Sequence, residues 1–209
     1  MDAEQRRNLI RYVRKRLEAL DYCNATFENT ISGEKQELMD SVNAGNIDPD
    51  DPDLSKALFK YNYLILPTFR NGMLVSACSL IEDVLLRVGT ESISDFKSEV
   101  QSLRSRNSTI RKYLQVIHDH LGIDFSQIAD WLNLIDDLNK VRNAIVHAWG
   151  KIENCSNPPT LRQIIARYGW LQESGDGYIV VGDETYADAI TPFLRLIEHI
   201  LDALPQPDN

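Results

Sequence analysis

Cysteine is scarce in this chain of 209 residues, which has three in all: Cys23, Cys78 and Cys155. The count is odd, and no two of them form a Cys-x-x-Cys pair. This argues against a disulfide framework and against a zinc cluster, which needs closely spaced ligands. We therefore expect free thiols in a reducing cytosol, and we expect no metal and no cofactor.

Long apolar runs and the common catalytic motifs are missing as well. No run of 18 apolar residues occurs, and the first seven residues, Met-Asp-Ala-Glu-Gln-Arg-Arg, contain no apolar h-region. We expect a cytoplasmic protein without a membrane span or a secretory signal. No Gly-x-Gly-x-x-Gly, Gly-Lys-Ser/Thr, Gly-x-Ser-x-Gly or His-Glu-x-x-His motif occurs, which argues against dinucleotide-binding, P-loop, serine-hydrolase and zinc-protease chemistry.

Positive charge is also in short supply. Lys and Arg number 22 against 31 Asp and Glu, so the net charge is −9. An acidic chain is not typical of a protein that binds nucleic acid broadly and tightly, although a local basic site is compatible with it. Two local clusters are the candidates for RNA contact: Arg6, Arg7, Arg11, Arg14 and Lys15 near the N-terminus, and Arg104, Arg106, Arg111 and Lys112 further on. Each cluster either steers phosphate or is a solvated helix face.

Apolar periodicity predicts an all-α fold with one small β-hairpin. We expect an N-terminal helical extension and acidic linker over 1–53, a helical domain over 54–204, and a frayed tail over 205–209. The extension contains a helix over 3–25, a break at Ser32-Gly33 and a short helix over 34–42. Pro67 is expected to kink or end the next helix. Near the C-terminus, 170–181 reads as a hairpin turning at 175–177, and Asp183 is expected to cap a closing helix.

The chain is organised around a predicted helix over 125–151, capped at Asp124 or Ser126. Its apolar residues recur every three or four positions and form one buried stripe, and Trp149 falls near that stripe. Asn143 and His147 lie one turn apart on the other side, with Arg142 on the flank. Histidine exchanges protons near neutral pH, and the guanidinium of arginine suits phosphate oxygens. Together they suffice for metal-free phosphodiester cleavage. The plainer alternative is a solvated His and an Arg whose positive charge interacts favourably with the C-terminal end of the helix dipole.

The motif Arg142-Asn143-x-x-x-His147, late in a helical domain, resembles the Arg-x(4–6)-His motif of the HEPN (higher eukaryotes and prokaryotes nucleotide-binding) superfamily. The upstream helix over 73–86, with Glu82 among apolar residues, is similar to the first long helix of that domain. Many members are metal-independent endoribonucleases of toxin–antitoxin, phage-defence and RNA-processing systems, whereas others are inactive dimerisation or RNA-binding modules.

The resemblance implies a homodimer in which the Arg142/His147 pairs of two chains face one cleft and cleave RNA. Asn143 would orient the imidazole or hydrogen-bond the RNA, and an antitoxin or other partner protein would bind the dimer. The position of Glu82 among apolar residues indicates either that it orients Arg142 or His147 from a neighbouring helix or that it is simply exposed at the surface. In relatives paired with a nucleotidyltransferase, a modifiable Tyr follows the His by two residues. Trp149 stands there in this chain, so we expect core packing instead of nucleotidylation. A non-catalytic HEPN module and an unrelated helical adaptor remain alternatives.

Overall fold

The computed structural model describes residues 1–104, 108–182 and 185–204, with the backbone alone for 185–190. It is 78% helical with one two-stranded antiparallel sheet, so the predicted all-α fold with a small hairpin is confirmed. Arg106, Asp183 and the predicted tail 205–209 lie outside the described residues. The described elements are α1 (Ala3–Asn43), α2 (Pro52–Phe59), α3 (Leu66–Ser92), α4 (Phe96–Ser102), α5 (Thr109–Leu121), α6 (Ala129–Ala148), α7 (Pro158–Arg167), β1 (Leu171–Glu173), β2 (Ile179–Val181) and α8 (Thr185–Ala203).

The N-terminal helix is longer than predicted. α1 runs unbroken over 41 residues, so the predicted break at Ser32-Gly33 is wrong. A glycine inside a helix costs about 1 kcal/mol relative to alanine, and the hydrogen-bonded turns on both sides of Gly33 outweigh that cost. Leu9, Val13 and Leu17 are buried in the main core, and α1 packs on α3 and α8. The first turns of α1 therefore share the core of the helical domain.

Pro67 does not end its helix. A π-helical segment, Lys60–Ile65, joins α2 directly to α3, and Leu66 donates its backbone N–H to the carbonyl of Tyr61. Pro67 then falls in the first turn of α3, where its missing N–H matters least. The wider π turn is a local adjustment of the hydrogen-bond ladder next to a proline.

The run Pro52–Ser92 is the one helix, in the part of the chain that was described, that is long and apolar enough to cross a membrane. Its most apolar window has a mean hydropathy of 1.4, and 39% of that window is buried inside the fold. The core helix of a soluble protein meets the same criteria. The expected cytoplasmic location thus stays a prediction.

Helix α3 is the centre of the core. It packs against α1, α5, α6 and α8, and Ile81, Val84 and Val88 have no exposed surface. Next to Gly89 lies the buried ring of Phe96, so close that a Cβ on Gly89 would come within 2.3 Å of a ring carbon. α4 can therefore fold back onto the end of α3 because position 89 carries no side chain.

The predicted hairpin is confirmed and braces the end of α6. Its strands pair in antiparallel register, with Leu171 opposite Val181 and Glu173 opposite Ile179. The backbone N–H of Ile179 donates to the carbonyl of Gly150 at 2.9 Å. The N–H of Ile152 donates to Gly177 at the same distance. These bonds fix where the chain goes when it leaves α6.

Candidate functional site

The motif helix is shorter than predicted at both ends. α6 spans Ala129–Ala148, preceded by a 3-10 turn at Ser126–Ile128. Asp124 accepts hydrogen bonds from Ser126 N and Oγ, both at 2.8 Å, but the N-cap of α6 is Ile128, which forms no side-chain cap bond. The predicted cap at Asp124 or Ser126 is therefore wrong. The buried side of α6 includes Leu138 and Val141, which have no exposed surface. This packing against α3 and α8 fixes the rotation of α6 and therefore the direction of its motif residues.

The three motif residues differ in exposure. Arg142 and Asn143 are half-buried, whereas His147 is exposed. Arg142 Nη1 donates to Asn143 Oδ1 at 2.8 Å, and its Nε is buried with no hydrogen-bond partner. Asn143 and His147 are one helical turn apart. Asn143 is thus bonded to the guanidinium and lies on the same face of α6 as the imidazole.

Asn143 and His147 line a groove of about 300 Å³ between α6 and the start of α7. Its other lining residues are mostly amides, hydroxyls and small side chains. They are Lys140, Ala144, Ala148, Asn154, Cys155, Ser156, Asn157, Thr160 and Leu161. No carboxylate is among them. The groove therefore offers hydrogen-bond donors and positive charge beside an exposed imidazole, a combination that accepts an anion.

Sequence reasoning missed the far wall of this groove. The segment 154–157 reads as a loop, because it contains Asn and Ser and is followed by Pro158-Pro159. Asn157 caps α7 by accepting a hydrogen bond from Thr160 N at 3.2 Å. That cap was visible in the sequence as Asn-Pro-Pro, yet nothing local indicates that it faces His147.

The charge around the motif differs from that of the whole chain. Residues 138–152 include Lys140, Arg142, Lys151 and His147 but no acidic residue. The acid just before this segment, Asp137, is buried and turned toward α7. It accepts hydrogen bonds from Lys140 Nζ at 3.0 Å, from Tyr168 Oη at 3.1 Å, and from Arg167. Asp137 thus ties α6 to α7 and sets the spacing of the groove walls.

Glu82 is half-buried on α3. No hydrogen bond or ion pair joins it to Arg142 or His147 among the contacts of the described residues. Both Glu82 and Arg142 act on Cys78: burial raises the pKa of that thiol to about 12, the charge of Arg142 lowers it and that of Glu82 raises it. Glu82 and Arg142 are thus electrostatic neighbours without contact, and a supporting role for Glu82 stays a prediction.

The N-terminal basic cluster divides into two kinds of residue. Arg6 is 9% exposed and donates from Nη1 to the carbonyl of Leu204 at 2.8 Å, closing the end of α8. Its expected place on an exposed phosphate-steering face is therefore wrong. Arg7, Arg11 and Lys15 are exposed. Arg14 is exposed too, and it forms an ion pair with Glu198 at 2.5 Å.

One member of the second basic cluster, Arg111, is engaged within the fold. Arg111 Nε lies 2.6 Å from Asp136 Oδ2, which links α5 to α6. Lys112 beside it is half-buried, and Arg104 is exposed. An RNA contact through Arg111 would compete with that ion pair, so Arg111 offers less free charge than the sequence indicates.

Trp149 is not a core residue. Its side chain is 88% exposed, so the expected core packing is wrong. The apolar periodicity ends with α6, since Trp149 adopts left-handed backbone angles (φ 54°, ψ 28°) and leaves the helix. Its N–H and that of Gly150 both donate to the carbonyl of Ala144.

Comparison of the chain with protein-family models, curated proteins and solved structures gave no match. Within the described residues, no group of three or more His, Cys, Asp or Glu could hold a metal ion. The case for a function therefore depends on the local geometry of α6 and of the groove beside it.

Proposed function

We propose that this protein is a metal-independent endoribonuclease of the HEPN type, with Arg142 and His147 as its catalytic residues. The observation that carries the proposal is the arrangement at the end of α6. His147 is exposed in a groove that Asn143 also lines, and Asn143 accepts a hydrogen bond from Arg142. The permanent cation is thus bonded to an amide that lines the same groove as the proton-transfer group.

The chemistry follows from the residue types. An imidazole takes the proton of the ribose 2′-hydroxyl while the oxygen of that hydroxyl attacks the adjacent phosphorus. The bond from phosphorus to the 5′-oxygen breaks, and that oxygen receives a proton from an imidazolium. Arg142 stabilises the negative charge that builds on the phosphoryl oxygens. The products are a 2′,3′-cyclic phosphate and a 5′-hydroxyl.

A single His147 cannot remove one proton and supply another in the same concerted step. Two chains placed with their α6 ends facing each other provide both groups, and this is why we include a homodimer in the proposal. A cytoplasmic toxin or phage-defence effector, restrained by a partner protein, is the biological setting that we propose for this chemistry.

The test compares wild type with His147→Ala on labelled total RNA in EDTA. We expect cleavage by wild type alone, with cyclic-phosphate ends, and loss of at least 100-fold in rate for the variant. His120→Ala is the matched control, because His120 is an exposed histidine on α5 outside the groove. Dependence on added divalent metal, or equal cleavage by His147→Ala, would refute the mechanism.

A non-catalytic HEPN module is the second candidate. The net charge of −9 and the unpartnered, buried Nε of Arg142 favour it, because a guanidinium held inside the fold is less available to phosphate. Under this alternative, wild type and His147→Ala give the same result in every cleavage assay and bind RNA or a partner equally well.

A further inference from the structure

Trp149 occupies a position that neither backbone nor packing explains. Its φ of 54° is left-handed, a conformation that favours glycine or asparagine and is strained for a bulky residue. The main chain is held there by the bond from Gly150 N to Ala144 O at 3.1 Å and by the bond from Ile179 N to Gly150 O at 2.9 Å. These constraints explain the turn, but they would be met equally well by Gly or Asn.

The indole does not compensate by burying its surface. Trp149 is the most exposed of the large hydrophobic side chains in the described part of the chain, at 88%. The other two tryptophans, Trp131 and Trp170, are packed against the core. A fully solvated tryptophan on a strained backbone is costly in the free chain, which points to a use in a complex.

The location of Trp149 indicates which kind of partner it meets. It follows His147 by two residues, so the two Cα atoms are at most about 7 Å apart. Ala148 between them lines the groove. Further along the chain, Lys151 Nζ lies 4.7 Å from the centroid of the Tyr178 ring, and Tyr178 is 43% exposed. Aromatic faces beside cations are what single-stranded nucleic acid binds, since the rings stack on bases and the cations meet phosphates.

We propose that Trp149 is a stacking platform for an unpaired base of single-stranded RNA, next to the phosphate held at Arg142 and His147. The groove lined by Asn143, Asn154 and Thr160 then takes the sugar and base on the other side of that phosphate. Duplex RNA is excluded as a substrate, because its bases are stacked on each other and present no free face. This inference rests on the proposed function for its choice of RNA.

The experiment measures binding and not cleavage, so that it stands apart from the nuclease test. The probe is a short fluorescein-labelled, 2′-O-methylated single-stranded oligoribonucleotide, which has no free 2′-hydroxyl to react; its duplex is the comparator. We expect Trp149→Ala to weaken binding about 5- to 100-fold, the effect of losing one stacked base. Trp149→Phe keeps a ring and should stay within about threefold of wild type.

Tyr22→Ala is the matched control, because Tyr22 is another aromatic residue, 72% exposed, on α1 away from the groove. Trp149→Asn separates binding from stability. It should weaken binding as Trp149→Ala does, yet raise the thermal midpoint, because Asn tolerates the left-handed backbone. A merely structural tryptophan would lower the midpoint when it is replaced.

Several outcomes would overturn the inference. Three are binding results: no detectable binding by wild type, unchanged binding by Trp149→Ala, or equal binding of single strand and duplex. The fourth is a dimer in sedimentation that Trp149→Ala converts to monomer, since the indole would then be a contact between two copies of the chain. If wild type binds RNA through Trp149 but does not cleave it, the proposed nuclease activity is refuted and the single-strand binding site is supported. If wild type cleaves RNA but its binding does not depend on position 149, the nuclease activity is supported and the stacking role of Trp149 is refuted.

Discussion

The guanidinium of Arg142 donates to the amide oxygen of its neighbour Asn143 at 2.8 Å, and Asn143 shares the groove wall with His147. In the mechanism that we propose, Asn143 is a positioning residue that acts through Arg142. It keeps the cation close to the groove without neutralising it, because an amide carries no charge.

Changing the charge at position 143 tests that role. Asn143→Asp should lower kcat/KM about 100-fold and Asn143→Ala about 10-fold, because a carboxylate would pair with Arg142 and repel phosphate. Asn133→Asp, an exposed position on α6 outside the groove, adds the same charge as a control. Equal losses in Asn143→Asp and Asn133→Asp, with Asn143→Ala like wild type, would show that net charge matters and the Arg142–Asn143 bond does not.

Cysteine reactivity reports on the groove. Cys155 lines it, and burial raises the pKa of its thiol, so less of it is thiolate at pH 7 than for a free cysteine. We expect slow alkylation by iodoacetamide, a rate that keeps rising with pH beyond about 8.5, and protection by saturating oligonucleotide. Peptide mass spectrometry reads all sites at once. Exposed Cys23 should label with or without oligonucleotide, and undiminished labelling of Cys155 would place the RNA elsewhere.

Two glycines in helices should respond to alanine with opposite signs. Gly89→Ala puts a methyl group against the Phe96 ring, 2.3 Å from the nearest ring carbon, so we expect the free energy of unfolding to fall by about 1–3 kcal/mol. Gly33→Ala meets nothing within 4 Å and should raise it by about 0.5–1 kcal/mol through helix propensity. Urea denaturation of both variants measures these changes. A destabilising Gly33→Ala would contradict a continuous α1.

Arg6 and Arg7 are adjacent but should behave differently. Arg6→Ala leaves the carbonyls at the end of α8 without their donor and should lower the free energy of unfolding by about 1–3 kcal/mol. Arg7→Ala should change it by no more than about 0.5 kcal/mol. If the exposed N-terminal face steers RNA, only Arg7→Ala weakens oligonucleotide binding and reduces its salt dependence. Unchanged binding in both variants would remove that face from the RNA site.

Much of the fold could be predicted because its signals are local. Ser108 and Gly122 bracket α5 as cap residues do, with a bond from Arg111 N to Ser108 Oγ and a left-handed Gly122. The hairpin follows from a glycine-containing turn between two β-prone runs. The predicted break at Gly33 was wrong because the low helix propensity of one glycine is a weak local effect. It is outweighed by a continuous helix whose first turns pack in the main core.

Some features of the candidate site could likewise be predicted from local sequence, and others could not. The sequence by itself determined that Arg142, Asn143 and His147 lie near the end of a helix with one apolar side, because helical periodicity fixes relative directions along a single element. Only the tertiary structure decided that α7 closes a groove over His147, that Arg6 is buried under α8, and that Trp149 projects into solvent. Those features depend on contacts between residues far apart in the chain, on which local spacing carries no information.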